Sequence, residues 1–334
     1  MGKTIQTNGY FNNIPQDICT QLPLPQFYEK LETHRHVQDT LSYSEAQLGG
    51  YFHKYFPRSY TETFTVMSQL VHFSQKYRKI LLEKQCLTLL DIGAGIGGNM
   101  IGMLKYISAA FPRVESVQID SVDGNKGALD YQARLIRNLN LNFTVAFNRV
   151  HHVFSPGTLI RELGNLVSVA YGYDIVMASK FINEFYRKDN GIGGLYGSFI
   201  ELGDVLLNKE GILMITELTD SLPGYGHLNM AFNRETVSYY QSCSNPLNQV
   251  FPIQCHLWRD CCEDGDRCFV QQRYLSDYAK AFTQVFCRRD FGNEFYSETY
   301  LHGQKKAPVR IKSTRRNGGH FCYQGKLRDT AELS

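Results

Sequence analysis

The chain has no run approaching 18 uninterrupted apolar residues, so no part of it is expected to cross a membrane as a helix. Its opening, MGKTIQTNGYFNNIPQD, has one lysine and no apolar core. That stretch reads as neither a secretory signal nor an arginine-rich transit peptide, and a cytoplasmic location is expected. There is little excess of either charge: 35 Lys and Arg against 32 Asp and Glu leave a formal +3, so its distribution says more than its total. Close cysteine pairs of the Cys-x2–4-Cys type are missing, although there are nine cysteines. Nine is odd, and an apparently cytosolic chain does not call for a disulfide framework, so the cysteines point toward metal. No cysteine sits in a motif for covalent catalysis on a base. The 334 residues, 43% of them hydrophobic, suffice for one large domain or one domain with sizeable additions.

What is present centres on LTLLDIGAGIGGNM, Leu87 to Met100. The run Leu87–Leu90 is too short for a helix and reads as a buried strand. Asp91 closes it, and Gly93, Ala94, Gly95, Gly97 and Gly98 follow. A glycine loop has no bulk and lets the backbone press against a ligand. From Asn99 the spacing becomes helical, with Met100, Met103, Leu104 and Ile107 on one face. Strand, glycine loop and helix describe a nucleotide-type site on an α/β sheet. Dinucleotide sites place Gly-x-Gly-x-x-Gly directly after the strand and hold a pyrophosphate on the helix N-terminus. Here an acid opens the loop, which suits a cationic or amine-bearing ligand better. The pattern Asp-x-Gly-x-Gly-x-Gly resembles motif I of the class I S-adenosylmethionine-dependent methyltransferases. The resemblance implies that the Gly93–Gly98 backbone approaches the amino-acid end of that cofactor.

Residues 1–57 read as an N-terminal extension, with short helices expected at Gln26–Leu31 and Val37–Leu48 and no function assigned; His34 and His36 read as a solvated face. A long amphipathic helix is expected over Ser59–Glu83, with Pro57 near its start and an aromatic stripe that reads as core; Arg58 and Tyr60 are the alternative edge of a cleft. After the glycine loop the second strand spans Ser116–Val122. Asp123 stands at its tip, followed by Gly124, as a ribose-diol acceptor, with Asp120 as the runner-up. Asp123 is also suited to cap the next helix. A third strand lies in LNFTVAFNRV and a fourth at Tyr173–Ala178. Ser179–Phe185 then falls where a parallel strand delivers residues to a cleft, and Ser179 joins the cofactor set. A helix is expected at Ser198–Leu207 and a fifth strand in GILMITEL, closing at Glu217. This alternation predicts a doubly wound, mostly parallel α/β sheet of Rossmann-like type over residues 58–240, with all strand C-termini on one edge. A methyl acceptor entering there meets Asn183, Glu184 and Tyr186, with Glu184 as a base or a structural residue.

Residues 241–275 form a cysteine-rich stretch, with cysteines at 243, 255, 261, 262 and 268. Thiols this dense beside acids and an arginine are not ordinary core packing. Cys255, Cys261 and Cys268 give Cys-x5-Cys-x6-Cys, and Cys322 can close a set of four, with Cys262 an alternative to Cys261. Zinc and a [4Fe–4S] cluster both accept four cysteines; the missing close pairs favour iron–sulfur. Residues 276–334 are read as strands completing the sheet. They carry Lys305, Lys306, Arg310, Lys312, Arg315, Arg316, Lys326 and Arg328 with no acid between them. Such a face suits phosphate contacts or a charged, guarded sheet edge.

From about Arg58 to Leu327 the chain resembles the methyltransferase-like proteins that associate with the mitochondrial small ribosomal subunit during its assembly, and their bacterial relatives. The resemblance rests on PRSYTETFTVMSQL, LLDIGAGIGG, SKFINEF and the cysteine loop ending in CFVQQR. It implies a [4Fe–4S] cluster on Cys255, Cys261, Cys268 and Cys322, and it places the family's Asn-Glu turn on Asn183 and Glu184. It also implies ribosomal RNA or the small subunit as partner. The chain departs from the family at Glu217-Leu218-Thr219, where the family has Glu-Pro-Gly, and in lacking prolines around Cys255 and Cys261. Three functions follow as expectations: a methyltransferase on ribosomal RNA, a non-catalytic assembly factor keeping the same fold, or a small-molecule or peptide methyltransferase with structural zinc.

Overall fold

The computed structural model describes residues 15–21, 37–155, 157–167, 172–188, 194–218, 221–222, 226–251, 270–274, 277–296, 310–312 and 320–322. A single helical turn, α1 (Gln16–Cys19), and a 3-10 segment, Val37–Ser42, precede a long helix α2, Glu45–Phe73. Ser44 starts α2: its hydroxyl accepts the Gln47 N–H at 3.3 Å, and the Gln47 side chain accepts the Ser44 N–H at 2.9 Å. The helix expected from Ser59 therefore begins at Glu45, and Pro57 lies inside it. An internal proline deletes one helical hydrogen bond and costs about 3 kcal/mol. Burial offsets that cost, because the apolar stripe runs straight through the proline. Phe52 and Phe56 stack at 4.3 Å, Phe56 and Tyr60 at 6.3 Å, and all three are buried. The expected helix also divides: Ser74 ends α2 and caps α3, Gln75–Glu83, through the Tyr77 N–H at 3.1 Å. Its hydroxyl donates in turn to the Phe295 carbonyl, tying the break to the far end of the fold.

Then follow β1 (Cys86–Ile92), α4 (Gly98–Ala110), β2 (Ser116–Asp123), α5 (Lys126–Arg137), β3 (Thr144–His151), α6 (Leu159–Leu166), β4 (Tyr173–Ser179), α7 (Ile182–Lys188), α8 (Leu195–Leu206) and β5 (Leu207–Leu218). A small hairpin, β6 (Ser221–Leu222) and β7 (Gly226–His227), leads to α9 (Leu228–Ser242), β8 (Asn248–Phe251), β9 (Val270–Tyr274), β10 (Asp277–Cys287) and a short helix α10 (Arg289–Asn293). The sheet order is β3-β2-β1-β4-β5-β10-β8, with β9 also paired to β10. Strands β1 to β5 run parallel, while β10 is antiparallel to both β5 and β8.

Both faces of the sheet are buried, as a parallel sheet requires. Leu87, Leu89, Ile175, Met177, Ile212 and Met214 pack with α2, α4 and α5; Leu90, Ile92, Val176, Ala178, Leu213 and Ile215 pack with α6, α8 and α9. Helices α2 and α4 touch at backbone level, since a Cβ on Gly102 would overlap the Tyr60 carbonyl oxygen. The result is the doubly wound architecture expected from the alternation, with strand ends Ile92, Asp123, Ser179 and Leu218 on one edge. The basic C-terminal stretch does not extend this sheet among the described residues. β11 (Arg310–Lys312) and β12 (His320–Cys322) form their own antiparallel pair, while β10 is the strand that completes the main sheet.

Candidate functional site

The glycine loop lies at the C-terminal end of β1. Its start is fastened to β2 by the Gly93 and Ala94 N–H groups, which both donate to the Val122 carbonyl at 2.9 and 3.2 Å. Gly93, Gly95 and Gly97 all adopt positive φ. Gly95 (φ +52) is the informative one: a Cβ there would meet nothing within 4 Å, so this backbone faces open space. That space is a cleft of about 1000 Å³, open solvent included, and it is lined by Gly93 through Asn99, Asp123, Gly124, Ser179, Lys180, Phe181 and Glu184, among others.

Asp123 holds the loop in shape. One carboxylate oxygen accepts the Gly95 N–H at 2.7 Å, and the other accepts the Asn125 N–H at 2.7 Å. Burial raises its carboxyl pKa above the ordinary value; these two donations and His151 oppose the rise. The helix-capping role suggested for Asp123 falls to Asn125, whose side-chain oxygen accepts the Ala128 N–H at 3.0 Å. The amide nitrogen of Asn125 donates to the Thr40 carbonyl at 2.5 Å. It thereby draws the 3-10 segment over the β2 tip, where Thr40, Leu41, Tyr43, Leu48 and Tyr51 form one side of the cleft.

Ser179, the last residue of β4, lines the cleft beside the glycine loop, and its buried hydroxyl has no hydrogen-bond partner among the described residues. Lys180 reaches across to α2, with its Nζ 2.5 Å from Glu62 and 3.2 Å from the Ser59 hydroxyl. Glu62 also accepts from Arg58 at 2.7 Å. Tyr60 is part of the core, not a cleft edge.

Several residues singled out by sequence lie behind the cleft. Asp91 is inside β1, beneath the loop and 2% exposed. Burial, then the Asp123 charge, push its carboxyl up to about 7; a long hydrogen bond from Gln132, 3.4 Å, acts against this. Asp120 sits mid-strand and accepts from the Tyr173 hydroxyl at 2.7 Å and the Asn148 amide at 3.0 Å. Asn183 is buried and donates twice to Glu217, from its side-chain amide at 2.9 Å and from its backbone N–H at 3.2 Å. Burial pushes Glu217 up to about 7. Tyr186 is buried too, its hydroxyl donating to Glu235, which also accepts the Tyr196 N–H at the start of α8. Of Asn183, Glu184 and Tyr186, only Glu184 lines the cleft. The other two face inward because α7 turns its apolar side, with Ile182, Phe185 and Tyr186, into the core.

Cys255, Cys261, Cys262 and Cys268 lie outside the described residues, and Cys322 is described as a strand position in β12 opposite Arg310. Among the described residues no group of three or more His, Cys, Asp or Glu is placed to hold a metal. Among the described residues, no helix is long and apolar enough to cross a membrane.

A parallel sheet ordered β3-β2-β1-β4-β5, extended by an antiparallel strand inserted before β8, is a doubly wound α/β sheet of Rossmann-like type. No model of a known protein family matches the chain, and no curated protein matches it. Solved structures to which the chain is similar include a Listeria monocytogenes protein assigned to the class I S-adenosylmethionine-dependent methyltransferases (12% identity, TM-score 0.40, 80% of this chain); the present chain spans 66% of its length. A methyltransferase from Pyrococcus furiosus is similar at 15% identity and TM-score 0.33, over 63% of this chain and 80% of its own. The precorrin-6y C5,15-methyltransferase of Geobacter metallireducens is similar at 16% identity and TM-score 0.31, over 64% and 88%.

Proposed function

We propose that the cleft binds S-adenosylmethionine and that the protein is a methyltransferase, with ribosomal RNA of the small subunit as its acceptor or partner. The observation that carries this reading is the open backbone of Gly95, held by Asp123 at the edge of the cleft. Such a cradle admits a ligand to van der Waals contact with the loop. Each Asp123 oxygen keeps acceptor capacity for ribose hydroxyls beyond its one backbone bond. Leu41 and Val153 are 36% and 55% exposed at the mouth and offer apolar surface to a base. The carboxyls of Asp123 and Glu184, which line the cleft, favour a cationic ligand over a phosphate. When bound, that cofactor supplies an electrophilic methyl group on a sulfonium; the chain supplies alignment and a dry wall.

One observation favours a second reading, a non-catalytic assembly factor: Asn183 and Tyr186 are spent on internal hydrogen bonds. A labelled-methyl assay on small-subunit RNA fragments separates the two, since incorporation supports the enzyme and tight RNA binding without incorporation supports the factor. The basic stretch between Lys305 and Arg328 supports RNA as the partner in both, with an affinity that falls steeply with salt. A four-cysteine centre on Cys255, Cys261, Cys268 and Cys322 belongs to the same proposal and rests on their sequence pattern. Iron, sulfide and zinc analysis after anaerobic purification tests it; about four irons per chain support [4Fe–4S], and about one zinc supports the third function.

A further inference from the structure

Asn125 uses all of its polar groups where β2 turns into α5. Its backbone N–H donates to an Asp123 carboxylate oxygen at 2.7 Å, and its carbonyl accepts the Leu129 N–H at 3.2 Å. Its side-chain oxygen caps α5 through the Ala128 N–H. These three bonds stay within the β2–α5 connection and the first turn of α5. The fourth, from the side-chain nitrogen to the Thr40 carbonyl at 2.5 Å, reaches back 85 positions to the 3-10 segment Val37–Ser42. Next to Thr40, Leu41 sits on the Gly124 backbone: a Cβ on Gly124 would lie 2.5 Å from a Leu41 methyl and 3.5 Å from a Val153 methyl. Leu41 and Val153 therefore converge over the residue that follows Asp123. They are two of the three large apolar side chains exposed among the described residues. The segment's own hydrogen bonds are weak, since 3-10 bonds have poorer geometry than α-helical ones. The Tyr43 N–H reaches the Thr40 carbonyl at 3.5 Å. Regular helix starts just beyond, where Ser44 closes the capping box of α2.

We propose that the segment Val37–Ser42 is a gate over the nucleoside end of the cleft and that Asn125 is its latch. The proposal rests on the cofactor reading above. A nucleoside whose ribose hydroxyls meet Asp123 lies beside Gly124 and beneath Leu41, so its way in and out runs past this segment. Lifting the segment breaks the Asn125–Thr40 bond and uncovers Gly124. It leaves β2, α5 and the glycine loop in place, because the other three Asn125 bonds and the Asp123–Gly95 bond do not involve it. The latch is the same bond with or without a ligand. It therefore sets how often the cleft opens, not how tightly the closed cleft binds. Asn125 is a positioning residue in this scheme and touches no reacting atom.

Surface plasmon resonance with the immobilised full chain and S-adenosylhomocysteine tests this, because it reads association and dissociation separately. Asn125→Ser and Asn125→Asp both keep a side chain that caps helices as well as asparagine does. Serine is too short to reach Thr40, and aspartate turns an acceptor toward the Thr40 carbonyl in place of a donor. In both variants the association and dissociation rates should rise together by about fivefold, the worth of one neutral hydrogen bond, with Kd changed less than about twofold. Hydrogen exchange over residues 37–43 of the ligand-free chain should quicken in step. If neither variant folds, Leu41→Ala, which keeps every Asn125 bond, should raise the association rate as well. Faster dissociation with unchanged association makes the segment a fixed wall and overturns the gate, as do unchanged rates; both leave the cofactor reading intact. Native protein that binds no S-adenosylhomocysteine overturns both.

Discussion

Asp91→Asn removes a carboxyl that the fold keeps at a cost. In the folded chain Asp91 holds its proton up to about 7, against 3.8 ordinarily, chiefly because burial penalises the charge. Between those two values the folded state binds the extra proton, so stability falls as pH rises through that window. Below it there is no penalty; above it the penalty is complete. The gap corresponds to roughly 4 kcal/mol as an upper bound, at about 1.4 kcal/mol for each factor of ten. Asparagine is isosteric and uncharged, and its amide can donate to the Gln132 side-chain oxygen, which is buried without a partner. The variant should therefore match the native protein near pH 4 and exceed it by about 1–4 kcal/mol near pH 8.5. Glu217 titrates in a similar window but is common to both proteins and cancels. Urea unfolding at the two pH values measures the difference. Equal stability at both, or a loss at pH 8.5, would refute the reasoning.

Asp123→Ala should weaken nucleoside-type ligands by about 10- to 100-fold, since it removes the diol acceptor and releases the Gly95 N–H; titration calorimetry reads this. Gly102→Ala should destabilise by about 1–3 kcal/mol in urea, because the added methyl meets the Tyr60 backbone, despite a helix-propensity gain of about 1 kcal/mol.

The parts of the site that are contiguous in the chain were legible beforehand. Leu87 to Asn99 carries strand, loop and helix in one stretch, and Asp123 and the Ser179–Phe185 turn follow from the βα alternation. What escaped is what the fold brings from elsewhere. Thr40 reaches the cleft through one Asn125 hydrogen bond, and Glu62 meets Lys180 across 118 positions. No local spacing encodes either. Helix α2 shows a different failure. Pro57 suits a helix start, yet buried Phe52 and Phe56 extend the apolar stripe ahead of it, and Ser44 with Gln47 was the true start signal. Asn183 and Tyr186 had the right position in the chain, but strand-end placement does not determine which way a short helix faces.

The most direct test of the central claim is calorimetric titration of the folded protein with S-adenosylhomocysteine. The account predicts one saturable site per chain with a Kd between about 1 µM and 1 mM, competed by S-adenosylmethionine and weakened in Asp123→Ala. A folded protein that binds neither ligand at millimolar concentration would contradict it.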